Sequence, residues 1–269
     1  MGFRGWMGNF CALLVVVSLA APVTGYGGAP PGPLPPRAPR AAAPIDLTGY
    51  WVSIVSEEWR YRMVAPAKGD YGGMPMTPAA VSVADKWDPA ADERAGEQCR
   101  AYGAPIIMRV PGRFHITWVD DNTLQMETDT GMQKRLFRFG ATAAAQPAEP
   151  PSWQGSSVAS WELPVLGGPL AANLGITIPN LKPANGTLKV VTKNLRAGYL
   201  RKNGIPYSEN AVVTEYFDIV NDPKGTPWLL VTSTVEDPRY LRAPYVLSTH
   251  FKKQSDAAGW DPTPCSSTW

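Results

Sequence analysis

Histidine and cysteine are close to absent from this chain, with two and three residues among 269. A zinc cluster needs Cys and His ligands at short, regular spacings, and His115 and His250 lie too far apart to supply them, so neither a metal nor a cofactor is expected. Also missing are the Gly-x-Ser-x-Gly elbow, the phosphate loop, the dinucleotide fingerprint and the His-Glu-x-x-His helix, which withdraws support from the common hydrolase, nucleotide-binding and zinc-protease classes. Charge is sparse, at 18% of residues with a net +2. Arg4, Arg37 and Arg40 precede Asp46 and no acidic residue does, leaving 22 of the 25 basic residues against 23 acidic ones in the remainder. That balance argues against a nucleic-acid partner. Nor is any apolar run long enough to span a bilayer as a helix, which takes roughly 20 residues. The run from Cys11 to Ala21 follows Arg4 and leads into small residues suited to a signal peptidase, so residues 1–25 read as a cleavable export signal. A lipoprotein signal acylated at Cys11 fits less well, because the apolar stretch follows the cysteine instead of preceding it.

What remains after cleavage has no transmembrane segment and is expected in the periplasm or outside the cell. Residues 26–45, almost all Gly, Ala and Pro, form a linker unable to bury a core. Residues 46–269 are within the size of one all-β domain. Two cysteines are left, Cys99 and Cys265, and an even pair in an oxidising compartment is most simply a disulfide that pins the C-terminal tail to the body.

Short runs rich in Val, Ile, Thr and aromatics, divided by Gly, Pro, Asn and Asp, predict strands over residues 49–55, 59–64, 106–110, 113–119, 123–128, 133–139, 157–162, 187–194, 211–220, 228–235 and 245–252. Thr77 followed by Pro78 marks the start of a helix reaching about Trp87, with a second short helix near residues 92–98. So many strands with so little helix predict a single closed antiparallel barrel, since closure removes exposed edges.

Gly49-Tyr50-Trp51 opens the first strand. It is similar to the Gly-x-Trp of lipocalin-like (calycin-like) barrels, in which the tryptophan closes the barrel floor under a late basic residue; Lys252 and Lys253 are the candidates for that residue here. The body resembles a large family of exported bacterial proteins of unknown function. The pieces that carry this are Gln98-Cys99, Pro105-Ile106-Ile107-Met108-Arg109, the segment from Ser152 to Glu162, Gly186 to Thr192, Tyr207-Ser208-Glu209, Val213-Thr214-Glu215, Val235-Glu236-Asp237-Pro238 and Cys265. The resemblance implies an exported β-rich domain with a disulfide, and no activity. This chain departs from it in carrying Ser156 where relatives often have His, and in an apolar insertion over residues 163–185. The insertion reads equally as a flap over the barrel mouth, a partner-binding patch or a loop on the outer wall.

If the turns of the last three strands centre near Lys224 and Tyr240, then Glu215, Thr232 and Ser248 fall abreast, with Phe217, Leu230 and His250 in the next row. Both faces are then mixed, which favours a ligand cavity inside the barrel. A one-residue slip would reverse the assignment. Two functions follow. One is the binding of a small apolar or aromatic molecule, with Arg60, Tyr61, Trp118, Trp161 and Phe217 as ligand-binding candidates; Trp59-Arg60-Tyr61-Arg62 alternates rings with cations in a way that suits an anionic aromatic ligand. The other is a cofactor-independent isomerase, lyase or hydrolase in which Glu215 works with His115 or His250 as an acid–base pair.

Overall fold

The computed structural model describes residues 37–140, 150–163 and 186–268, so the expected export signal, most of the expected linker and the apolar insertion beyond Leu163 lie outside the described residues. Nine strands close into a barrel in the order β1 (Gly49–Ile54), β11 (Tyr245–Lys253), β10 (Pro227–Glu236), β9 (Val212–Asn221), β6 (Thr187–Lys193), β5 (Ser156–Glu162), β4 (Lys134–Phe139), β3 (Thr123–Thr128) and β2 (Arg113–Trp118), which returns to β1. Eight of the nine pairings are antiparallel; β4 and β5 run parallel. This corrects the expectation of a purely antiparallel barrel, and the reason is topological. Strand directions cannot alternate all the way round a ring of odd number, so at least one neighbouring pair must be parallel. The chain leaves β4 at one end of the barrel and has to travel back to the other before β5 begins, as a parallel pairing requires.

Inward positions alternate along each strand and carry large side chains packed against one another: Trp51, Phe114, Ile116, Leu124, Met126, Phe137, Leu188, Phe217, Val231 and Phe251 are all buried. The interior is therefore occupied largely by the chain's own hydrocarbon. At the β1 end, Trp51 donates its indole N–H to the Leu47 carbonyl, and the ammonium of Lys253, its register partner on β11, lies 4.6 Å from its ring centroid. Lys253 is thus the late basic residue over the tryptophan. Trp118, Phe139 and Trp161 pack together at the same end, and Trp161 donates to the Pro39 carbonyl. Residues 37–45, read as spacer from their composition, begin the same compact unit as the barrel.

The β10–β11 register matches the sequence expectation, with Thr232 opposite Ser248 and Leu230 opposite His250. The β9–β10 register differs by one residue: Glu215 pairs with Ser233, not Thr232. Asp222 sets this register. Its carboxylate accepts the N–H groups of Lys224 and Thr226, and its own N–H meets the Thr226 carbonyl, so the loop closes between Asn221 and Pro227. The slip turns Glu215 and Phe217 inward with Ser233, Val231 and Leu247, and turns His250 outward.

The opposite end of the barrel is capped. Two expected strands, residues 59–64 and 106–110, are helical instead: α1 (Trp59–Met63) and a short 3₁₀ turn (Ile107–Arg109). Alternating aromatics and cations read as a strand face, but a stretch that never reaches a sheet edge satisfies its backbone locally. Helix α2 (Pro78–Ala84) starts as expected, with Thr77 Oγ1 accepting the Ala80 N–H. Helix α3 (Pro89–Arg94) is capped by Asp88. A small hairpin of β7 (Gly198–Tyr199) and β8 (Pro206–Tyr207) completes the cap, and Cys99 is bonded to Cys265.

Candidate functional site

The densest buried charge in the described structure lies in this cap. Arg62 comes from α1, Arg109 from the 3₁₀ turn, and Arg201 and Lys202 from the tip of the β7–β8 hairpin; all four are buried. The tip can enter the cap because Gly204 has φ +84 and closes the turn onto Arg201. Asn203 then ties the hairpin to the carbonyls of Ala67 and Asp70, while Arg201 donates to that of Gly72. Between these elements is a cavity of about 30 Å³, room for one or two waters, lined by the four cations together with Tyr61, Ile106, Val110 and Leu200.

Two carboxylates face four cations. Glu57 meets Arg62 and His250, and Glu58 meets Arg109 and Arg201. Arg62 is fully engaged, donating to Glu57, Ser53 Oγ and the Arg109 carbonyl. Burial, then the like charge of Arg109, pull its guanidinium down to about 10 against the opposing influence of Glu58, so it stays charged at neutral pH. Lys202 donates to Tyr102 Oη at 2.6 Å. Arg109 and Arg201 differ from these. Among the described residues no acceptor of good geometry reaches Arg109 Nη2 or Arg201 Nε and Nη2. The hydroxyl of Tyr245 lies close enough to Arg201 to interact with it, although no hydrogen bond of good geometry joins the two. Arg201 lies over the Tyr61 ring, 4.1 Å from its centroid.

Burial pulls the Lys202 ammonium down to about 8. An unfolded lysine titrates near ~10.4, so between these values the unfolded chain holds a proton that the folded chain has shed, and folding gains stability as pH rises. The gain is lost as pH falls back through 8. Tyr199 and Tyr207, whose hydroxyls burial pushes upward, limit the window to below about pH 10. Urea unfolding at about pH 7 and about pH 9.5 is expected to show this rise in the wild type and a smaller one in Lys202→Met, where Lys253, also lowered by burial, still contributes.

The residues proposed from sequence disperse. Glu215 is inside the barrel, held by Arg135. His115 is on the outer wall, stacked on Tyr50 at 4.0 Å with Trp260 edge-on. His250 faces outward against Glu57. The two histidines meet each other no more than they meet Glu215. Phe217 is core, Trp118 and Trp161 belong to the opposite end, and Arg60 is largely exposed and paired with Asp70. Only Tyr61 lines the cavity. Arg109, Arg201, Lys202, Glu57 and Glu58 join the site without matching any motif in the sequence. Arg201-Lys202-Asn203-Gly204 reads locally as a solvated turn, and no local signal tells that it is buried; Glu57-Glu58 directly before the Trp59–Arg62 run is the usable hint. Among the described residues no group of three or more Cys, His, Asp and Glu side chains is placed to hold a metal ion, and no helix is long and apolar enough to cross a membrane. No protein-family model, curated protein or solved structure matches the chain.

Proposed function

We propose that this protein is an exported binding barrel that takes a small anionic ligand with an apolar or aromatic portion, and that the ligand sits in the cap and not within the cylinder. One observation carries the reading: Arg109 and Arg201 are buried, converge on one cavity and leave guanidinium N–H groups without acceptors. A buried donor without a partner costs about 1–3 kcal/mol, more when charged, and a ligand oxygen returns that energy on binding. Tyr61 gives the ligand an aromatic wall, in keeping with the ring-and-cation alternation of Trp59 to Arg62. Acid–base catalysis draws no support from Glu215, His115 and His250, which lie on opposite faces of the barrel wall.

Export is supported by the signal-like N-terminus and by a disulfide suited to an oxidising compartment. The Trp51–Lys253 stack supports a lipocalin-like relation, against which stand nine strands and a parallel pair. The resemblance to exported bacterial proteins places Arg109 within one of its recurring pieces.

Calorimetric titration with benzoate, acetate and inorganic phosphate tests the reading. Saturable binding of at least one of these anions is expected, weakened by salt, with Arg201→Met losing about 2–5 kcal/mol of it. Equal response, or none, in wild type and Arg201→Met would reject the site.

A further inference from the structure

Glu58 sits in the cap site in an unusual way. It is a non-glycine residue with φ +43, a left-handed conformation that a side chain occupies at some cost, and it precedes α1 without capping it. Its two carboxylate oxygens go to different guanidiniums, Oε2 to Arg109 and Oε1 to Arg201, the latter at 3.6 Å. Arg201 is then under-bonded although a carboxylate faces it. Glu58 is also the outer member of the group, with its side chain 37% exposed against 6% and 2% for the two arginines. The helix it leads into is only five residues long and holds Trp59 and Met63 out in solvent, with Val64 beyond, so little apolar burial fastens this turn down.

The donors left open say what the site accepts. Each Arg62 nitrogen has an acceptor and Lys202 donates to Tyr102, so among these four cations the nitrogens left without one belong to Arg109 and Arg201. Two guanidiniums suit one planar, two-oxygen group. Behind them the Tyr61 ring, Ile106, Val110 and Leu200 are apolar walls, and the other two cations of the lining, Arg62 and Lys202, already hold acceptors, which favours a two-oxygen carboxylate with an apolar body over a phosphate. Resting on the reading of the cap as an anion site, we infer that Glu58 is a resident stand-in for the ligand's own carboxylate: the ligand is a carboxylic acid with a compact apolar or aromatic body, and on binding its carboxylate takes Arg109 and Arg201 as the Glu58 side chain swings out. The body then goes against Tyr61, Ile106, Val110 and Leu200. A tethered competitor of this kind weakens the measured affinity by the fraction of molecules in which it occupies the site.

The test is chemical rescue in the full chain. Glu58→Gly removes the carboxylate at a φ that glycine adopts freely, and Glu58→Gln, nearly the same shape without the charge, serves if the first variant fails to fold. The variant is expected to melt lower than wild type, to regain its melting temperature in acetate or benzoate but not in phosphate at equal ionic strength, and to bind benzoate about tenfold more tightly or better. Glu57→Gln removes an equal charge from the same group without vacating the place between the arginines, and should gain much less. If wild type binds benzoate through Arg201 but Glu58→Gly binds it no more tightly, or Glu57→Gln gains as much, the stand-in role falls while the anion site stands. Rescue by phosphate over acetate and benzoate overturns the carboxylate assignment. If no anion binds wild type or any variant, both the inference and the site reading fail.

Discussion

Replacing Glu215 with glutamine is expected to lower the unfolding free energy by about 3–5 kcal/mol, the range for breaking one partner out of a buried ion pair. Glu215 and Arg135 are 0% and 1% exposed and face each other as a fork, with Nη1 donating to Oε1 at 3.0 Å and Nη2 to Oε2 at 2.5 Å. Nη2 also reaches Thr192, which is linked to Ser157. Arginine does not give up its proton, so removing the carboxylate leaves a full charge in a ring of hydrocarbon with two neutral hydroxyls beside it. The double change Arg135→Met with Glu215→Leu tells which term matters, because replacing both charges with apolar groups of similar volume is often neutral or stabilising. Guanidinium unfolding curves are expected to put the double variant within about 1–2 kcal/mol of wild type, or above it, while Glu215→Gln stays far below. Both should still bind benzoate at the cap. Loss of binding in the double variant, with stability retained, would return Glu215 to the functional site.

The fate of Glu215 shows what a sequence can and cannot disclose here. Apolar residues flank Glu215 in its strand, and a carboxylate buried there needs a partner such as Arg135, Arg138 or a ligand, because an unpaired interior charge is costly; the sequence does not say which. That it faced the core instead of a ligand turned on a single residue of register, decided by how Asp222 folds the loop into β10, and neither strand face was apolar enough to reveal the error in advance. Barrel closure was legible because it needs only strand number and spacing; the parallel pair was not, because strand order around a ring depends on long crossovers that leave no periodic mark. The cap was the least legible part. Its four cations come from α1, the 3₁₀ turn and the β7–β8 hairpin, distant in sequence, and each looks alone like a solvated surface residue. Only tertiary packing makes them a site, by excluding the water that would otherwise have satisfied their N–H groups.

Reduction of the Cys99–Cys265 bond is the second large effect. The two residues are 166 apart, and for a loop of that length the chain-entropy estimate is a loss of about 5 kcal/mol, with measured losses for native disulfides commonly about 2–5 kcal/mol. The consequence should not be uniform. The bond joins the stretch after α3 to a tail that runs past the cap: Gly131 donates to the Thr263 carbonyl, Ser266 N–H meets Tyr102 Oη, and Ser267 N–H meets Glu93. Tyr102 is also the acceptor for Lys202 and part of the buried cluster under the barrel end, so the tail, the cap and the cation group share one residue. The Trp51 end shares the hydrophobic cluster with Tyr102 but has holds of its own in Leu47, Lys253 and Phe114. Cys99→Ser with Cys265→Ser is therefore expected to weaken benzoate binding and raise amide exchange in Tyr102, Ile107 and Leu200 before exchange rises in β1, β10 and β11. Exchange that accelerates evenly over cap and barrel would show a single cooperative unit, in which the bond holds the cations no more than it holds the rest of the fold.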